Sequence, residues 1–167
     1  LYSDEPWLKF SYLGKVEFVA KKIFRHSISW NDINAADAVF GNRTININGR
    51  TFKVRLFKGK TEGKQDDQSA YEGAINHGSE WNKLMLPIHT NAPSDWAYKD
   101  NVNSPTENWG VGYTNGELMT YFNAGSGSYS WCQECGESSS FRLYRGFLGV
   151  SSSNTAFPYK SDTDYGW

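Results

Sequence analysis

The dipeptide Asn48-Gly49, set in an alternating run, constrains the fold of this chain more than any other feature. Across residues 43–56, apolar side chains alternate with polar ones on both sides of it, which is the period of a β-strand. Asn-Gly readily takes the positive φ angles of a two-residue hairpin turn. The stretch therefore predicts an antiparallel hairpin. A second alternating run over residues 7–22 predicts another hairpin, with its turn at Gly14-Lys15.

Two short helices are expected, each introduced by a serine. Ser29 is a good N-cap, and apolar residues follow it at helical spacing up to Phe40, before Gly41 ends the helix. Ser79 caps a second helix, and Pro87 ends it because proline cannot continue a helix. Strands and helices together predict a mixed α and β fold.

The remaining segments are rich in loops. Residues 59–76 are polar and aperiodic, which predicts a long loop, either a solvated insertion or a functional excursion. Residues 90–109 turn to Asn, Ser, Pro and Asp, which favours turns. Residues 114–122 predict one or two helical turns, and from Tyr129 onward short strands alternate with Ser- and Gly-rich loops.

Composition bounds the class of protein. With 167 residues, 38% hydrophobic and 16% aromatic, the chain is expected to fold as one domain over residues 1–167. A formal charge of −1, from 17 basic and 18 acidic residues, gives no electrostatic footprint for nucleic acid. No apolar run approaches the ~18–20 residues that cross a bilayer, so no membrane insertion is expected. The start at Leu1 favours a domain within a longer protein.

The two cysteines form one C-x-x-C sequence, Cys132 to Cys135. Such a pair can be a disulfide, half of a zinc site or a redox pair. The three histidines, His26, His77 and His89, are scattered and supply no second half of a zinc site. A redox pair should begin a helix, whereas these cysteines follow a strand-like segment. A structural role, as a possible disulfide or a pair of thiols, is therefore favoured.

Catalytic motifs are absent from the sequence. It has no Gly-x-Ser-x-Gly elbow, no His-Glu-x-x-His and no phosphate-binding glycine loop. His26 and His89 are interpreted as structural hydrogen-bonding residues. The acidic residues that can flank a glycosidic bond, as in almost any chain of this composition, are Asp66, Asp67, Glu72, Asp95, Asp100 and Glu134. We expect no enzyme, cofactor or metal.

The last third of the chain favours binding. Its aromatic residues are Tyr129, Trp131, Phe141, Tyr144, Phe147, Phe157 and Tyr159. Small polar residues lie between them, and rigid aromatics with adaptable polar groups make contact area at low entropic cost. The predicted ligand-binding residues are Tyr144, Phe147, Ser152, Asn154, Phe157, Tyr159 and Asp162. The alternative is a core role, which weighs equally for Trp131, Phe141 and Tyr144 and less for the later aromatics.

The order of these motifs resembles the C-type-lectin-like fold. The resemblance is strongest to the branch of formylglycine-generating enzymes and the variable proteins of diversity-generating retroelements. The motifs that carry it are Gly78-Ser79-Glu80-Trp81, Trp131, Arg142 to Gly146, and Gly166-Trp167. The resemblance implies an α+β domain with two helices packed on a twisted, mainly antiparallel sheet and a long loop-rich face.

Two departures limit what the resemblance implies about chemistry. Formylglycine-generating enzymes, which are oxidases, need cysteines within the late Arg-Gly region. Here Phe147 and Leu148 follow Arg145-Gly146, and the C-x-x-C sequence comes earlier. Calcium-dependent lectins use Glu-Pro-Asn loops, which are absent, and a Trp-Asn-Asp strand, whereas Trp30-Asn31-Asp32 falls on the first predicted helix. Oxidase activity and a calcium site are therefore not expected.

A narrower resemblance is to C-terminal domains of tailed-bacteriophage structural proteins. It rests on segments such as Trp7-Leu8-Lys9-Phe10 and Gly78-Ser79-Glu80-Trp81. It implies a non-catalytic, extracellular domain on the virion surface, in a tail fibre, receptor-binding tip or head decoration, that binds a glycan or protein of the host. Other virion subunits or further copies of the chain are expected partners. A structural part that cements virion subunits and a bacterial surface adhesin are the alternatives.

Overall fold

The computed structural model describes residues 7–21, 23, 25–60, 79–85, 87–88, 112–114, 117–118, 129–135, 139–146, 153–161 and 165–166. Most of the loop predicted at 59–76, and all of the turn-rich stretch 90–109, lie outside these residues. Of the helical segment predicted at 114–122, the described residues are Thr114, Glu117 and Leu118, and Thr114 O accepts a hydrogen bond from the Leu118 amide (3.2 Å).

The first hairpin consists of β1, Trp7–Tyr12, and β2, Lys15–Ala20. The strands are antiparallel, and Tyr12 pairs with Lys15. The turn therefore lies at Leu13 and Gly14, one residue before the predicted position. Both residues have positive φ angles, 48° and 74°, as the two-residue turn of a twisted hairpin requires.

The first helix, α1, spans Trp30–Ala35 and is shorter than predicted. Ser29 and Asp32 form a capping box at its start. At its end the amide of Asp37 donates to Asn34 O (2.9 Å) and the amide of Ala38 donates to Ile33 O (3.1 Å). This is a Schellman motif, in which Asp37 takes the left-handed conformation (φ 58°) that glycine more often fills. The predicted extension to Phe40 is wrong because this motif ends the helix first.

The second hairpin confirms the Asn48-Gly49 prediction. It consists of β3, Phe40–Ile47, and β4, Arg50–Arg55. Asn48 and Gly49 form the turn with positive φ angles of 51° and 76°. The side-chain oxygen of Asn46 accepts a hydrogen bond from the Gly49 amide (3.1 Å). The turn is therefore fixed by local residues alone.

The second helix, α2, spans Glu80–Met85 and confirms the prediction from Ser79. The Ser79 hydroxyl accepts a hydrogen bond from the Asn82 amide (3.1 Å), as an N-cap does. Its buried side chains are those of Glu80, Trp81, Asn82, Leu84 and Met85. The helix is thus held mainly by packing.

The last third forms a four-stranded sheet in the order β7-β6-β5-β8. Its strands are β5, Tyr129–Cys135; β6, Arg142–Gly146; β7, Ser153–Ala156; and β8, Tyr165–Gly166. Only β5 and β8 pair in parallel among these strands. The described residues therefore form a mixed α and β structure with two short helices and mainly antiparallel strand pairs. No helix in the described segments is long and apolar enough to cross a bilayer.

Each helix packs in its own core cluster. The α2 cluster contains Phe10, Trp81, Leu84, Met85, Ile88 and Leu118. The α1 cluster contains Ile28, Trp30, Ile33, Ala38, Val39, Leu56, Trp131, Tyr144 and Ala156. Two buried hydrogen bonds join β5 to α1 and to the residue before its cap: the Trp30 indole donates to Cys132 O (2.9 Å), and the Trp131 indole donates to Ile28 O (2.9 Å). These bonds satisfy both indoles in the core.

Candidate ligand-binding site

Three aromatic rings form a stack beside the edge strand β7. We call Phe141, Phe157 and Tyr159 the aromatic stack. The rings of Phe141 and Phe157 lie 4.5 Å apart between centroids at 29°, and those of Phe157 and Tyr159 lie 5.3 Å apart at 11°. Both pairs are stacked, which is a favourable arrangement for aromatic rings.

The register of β6 and β7 brings the stack together. Arg142 pairs with Ala156, so Phe141 and Phe157 follow as the next cross-strand neighbours. The chain then turns, and the Lys160 amide donates to Phe157 O (3.0 Å). Cross-strand aromatic pairs are a main source of sheet stability, so the first two rings also hold the sheet edge.

A backbone hydrogen bond fixes the turn that carries Tyr159. The amide of Asn31, in the first turn of α1, donates to Pro158 O (3.0 Å). The first amides of a helix have no partner within the helix, so this bond satisfies one of them. The ring of Tyr159 is therefore presented from a backbone that the capped helix anchors.

The stack ends in an accessible ring. Tyr159 is 64% exposed and Phe157 is 39% exposed, whereas Phe141 is partly buried. Phe157 stacks against the Tyr159 ring, and most of the Tyr159 surface remains open to a ligand. A flat apolar face with a hydroxyl at its edge can stack on a sugar ring or an aromatic side chain and donate or accept one hydrogen bond.

Arg142 lies behind the stack and ties it to α1. Its guanidinium lies 4.3 Å from the centroid of the Trp30 ring, a cation–π contact. Its Nη1 donates to Ser139 O (2.7 Å). Phe40 in turn packs edge-on against Trp30, with centroids 6.1 Å apart. Arg142 thus fixes the start of β6, next to Phe141 of the stack, against the first residue of α1.

The structure places the predicted ligand-binding residues differently from one another. Phe157 and Tyr159 are exposed neighbours in the stack. Tyr144 is 6% exposed and packs against Tyr129 and Trp131 in the α1 cluster. Tyr144 is therefore a core residue, the alternative to ligand binding, because this face of β6 packs on α1. Trp131 is buried in the same cluster.

The other predicted ligand-binding residues cannot be compared with the stack. Phe147, Ser152 and Asp162 lie outside the described residues. Asn154 lies on β7, opposite Tyr144 in the register, and its side chain is not among those described. Phe141 is the residue that the predicted set missed. Its signal was the β6–β7 pairing, which would have placed it across from Phe157.

No disulfide joins Cys132 and Cys135 in the structure. Of the two structural roles considered, it has the pair of thiols. Both lie on strand β5 rather than in a tight loop. In a strand, residues three apart are separated by roughly 10 Å, which exceeds the Cα separation that a disulfide spans. The Cys135 thiol accepts a hydrogen bond from Arg142 Nη1 (3.2 Å), and Cys132 is buried.

A partly buried charge cluster joins both hairpins to α2. Arg55 donates from Nη1 to Glu80 Oε2 (2.6 Å), from Nη2 to Glu80 Oε1, and from Nη2 to Glu17 (2.7 Å). The amide of Lys58 donates to Glu80 (2.9 Å). Burial acts to raise the pKa of Glu80, but the hydrogen bonds from Arg55 and Lys58 outweigh it and the pKa is lowered. Burial and the neighbouring Glu80 raise the pKa of Glu17.

Two further polar residues, the buried Arg145 and the partly buried Glu134, serve packing. Arg145 is buried, donates to Asn82 Oδ1 (2.5 Å) and lies 5.8 Å from the centroid of Trp81. Burial raises the pKa of Glu134, whose carboxylate accepts a hydrogen bond from the Gly59 amide (2.9 Å). These groups tie α2 and the residues after β4 to the sheet.

His26 Nδ1 and the Ser27 hydroxyl share a hydrogen bond (2.9 Å), in agreement with a structural role. His89 lies outside the described residues. Within the segments that the structure describes, no three His, Cys, Asp or Glu side chains are grouped to hold a metal ion.

Comparison with known proteins gives no match: no protein-family model, curated protein or solved structure is similar to this chain. The residues and geometry of the site therefore carry the functional argument.

Proposed function

We propose that this chain is a C-type-lectin-like domain that a bacteriophage virion displays to recognise a glycan or protein on its host's surface, without catalysis. The order of elements supports the fold: a hairpin, a helix, a hairpin and a helix precede a sheet that carries Trp131 and Arg145. These two residues belong to the motifs that resemble the fold.

The aromatic stack is the observation that carries the recognition role. Tyr159 is a large, rigid side chain with its ring supported by Phe157 and its backbone tied to α1 through Pro158. A ring that is already held in position loses little conformational entropy when a ligand covers it. Tyrosine is also among the residues that dominate binding energy in interfaces. The stack therefore offers a preorganised contact for a sugar ring or a receptor side chain.

Four carboxylates of the described residues bond to structural partners, which favours recognition rather than turnover. Glu80 and Glu17 accept hydrogen bonds from Arg55, Asp32 belongs to the capping box, and Glu134 accepts the Gly59 amide. A hydrolase needs a pair of carboxylates on either side of the bond that it cleaves. These carboxylates instead bond to neighbouring elements, which is a structural use of their charge.

A structural role on the particle is the second candidate. Exposed apolar side chains on the two hairpins, among them Val16, Phe18 and Ile47, favour it. A protein that cements neighbouring subunits needs an apolar contact surface of this kind. Such a protein would assemble with its capsid or tail subunit and would not bind host cells.

The test is binding of the fluorescently labelled protein to a panel of bacterial strains, measured by flow cytometry. We expect saturable binding to some strains. Tyr159→Ala should bind about tenfold more weakly, because removing an exposed aromatic anchor costs on the order of 1.4 kcal/mol. Tyr159→Phe should keep most of the binding, since the ring remains.

Trp7→Ala is the matched control. Trp7 is an exposed aromatic (57%) on β1, away from the stack and its supporting residues, so this change should leave cell binding unaltered. Absence of binding to every strain by the folded wild-type protein would exclude recognition and favour the cementing role. Binding that Tyr159→Ala leaves intact would remove the stack as its site.

A further inference from the structure

The β1–β2 hairpin is apolar on both faces. One face packs in the α2 cluster through Leu8, Phe10, Tyr12 and Val19. The opposite face carries Val16 and Phe18, and both are exposed. An antiparallel sheet with one face in water normally alternates apolar and polar side chains. Apolar side chains on both faces are typical of a sheet that is covered on both.

The second hairpin extends this surface. The rings of Phe18 on β2 and Phe52 on β4 meet edge to face, with centroids 5.8 Å apart. Phe52 pairs across the strands with Ile45, which is exposed, as is Ile47 two residues on. We call the exposed side chains of Leu13, Val16, Phe18, Ile45 and Ile47 the hairpin surface. It belongs to different elements from those of the aromatic stack.

All the exposed charged side chains on the two hairpins are cationic. They are Lys9, Lys15, Arg43, Arg50 and Lys53. The hairpins carry one carboxylate, Glu17, and it is partly buried and paired with Arg55. A symmetric pairing of this surface with a second copy would set cations opposite cations, which is unfavourable. The charge therefore favours an anionic partner.

Both hairpin turns combine an aliphatic side chain with a cation. Leu13, in the first turn, is 80% exposed and lies beside Lys15. Ile47 adjoins the second turn and pairs with Arg50. A protein partner would have to offer a fitted pocket to each convex turn, whereas a fluid headgroup layer closes around any such shape. Lys and Arg can then reach lipid phosphates while their carbon chains lie among apolar groups.

We propose that the hairpin surface docks peripherally on an anionic lipid bilayer. The aliphatic side chains at the turns enter the headgroup layer, and the surrounding cations pair with acidic headgroups. Peripheral binding of this kind needs both an apolar and an electrostatic contribution. It depends on neither the aromatic stack nor a bound glycan.

Co-sedimentation with vesicles tests the proposal. The wild-type protein should bind vesicles of phosphatidylcholine mixed with phosphatidylglycerol, should bind phosphatidylcholine alone much less, and should bind less at high salt, because salt screens the charges. Leu13→Asn removes the aliphatic side chain while suiting the positive φ angle (48°) at this position. We expect Leu13→Asn and Lys15→Gln each to weaken binding to the mixed vesicles several-fold.

Lys58→Gln is the control, because Lys58 is an exposed cation outside both hairpins. It should bind the mixed vesicles as the wild type does. Failure of the folded wild-type protein to bind the mixed vesicles would overturn the proposal. So would binding that Leu13→Asn leaves unchanged. Equal binding to vesicles of phosphatidylcholine alone would also overturn it, because the cations would then contribute nothing.

Discussion

Gly59 lies where a side chain has no room. A Cβ at this position would come within 2.6 Å of Cys132 Sγ and 2.7 Å of Leu143 Cδ2. Its amide also donates to Glu134. The residue thus allows the chain that leaves β4 to pass closely over the sheet, and its lack of a side chain is a packing requirement.

We expect Gly59→Ala to lower the free energy of unfolding by about 1–3 kcal/mol, the usual cost of overpacking a core. Urea denaturation measures it. Cys132→Ala removes the closest obstructing atom. Gly59→Ala should therefore lower the free energy of unfolding less in the Cys132→Ala background than in the wild-type protein. An alanine at 59 with wild-type stability would show that the approach of these segments is looser than the structure has it.

At the scale of elements, one ion cluster holds three of them together. Arg55 on β4 bonds Glu17 on β2 and Glu80 on α2. The Glu80 side chain is 3% exposed and that of Arg55 is 28% exposed. Removing one partner of a buried pair leaves the other charge uncompensated. Without the Glu80 carboxylate, however, Arg55 would remain partly exposed to solvent and paired with Glu17.

We expect Glu80→Gln to cost about 2 kcal/mol at neutral pH. The pKa of Glu80 is lowered on folding, so its contribution is present above the ordinary value of 4.5 and is lost as the pH falls through the folded pKa. Wild-type stability should therefore drop in that acid range, and the variant should show less of this drop. Urea denaturation over a pH series measures both.

Glu17→Gln is the comparison for this cluster. Burial raises the pKa of Glu17, so its ionised form adds less to stability and the change should cost less than Glu80→Gln. If Glu17→Gln lowered the free energy of unfolding as much as Glu80→Gln or more, Glu17 rather than Glu80 would be the main ion-pair partner of Arg55.

The elements that sequence predicts well are those that local residues fix. Asn48-Gly49 sets its turn, and Ser29 and Ser79 cap their helices, because each acts within three residues. The end of α1 was missed because Asp37 fills a position that glycine usually marks. The parallel pairing of β5 with β8 and the burial of Tyr144 depend on segments far apart in sequence, so no local pattern contains them.

Over the whole molecule, the exposed large hydrophobic side chains of the described segments fall on the two hairpins or on the aromatic stack. The hairpins are cationic although the chain's formal charge is −1, so charge is unevenly distributed along it. We assign the stack to the proposed recognition of a ligand and the hairpin surface to the proposed docking on an anionic bilayer. The stack and the hairpin surface can be changed separately, since they share no residue.

Hydroxyl-radical footprinting of the protein, alone and saturated with envelope fragments of a strain that it binds, tests the recognition site most directly. We predict that oxidation of Phe157 and Tyr159 falls sharply in the bound state. Trp7, also exposed, should stay as reactive as in the unbound protein. Bound protein in which Tyr159 remains fully reactive would contradict recognition through the aromatic stack.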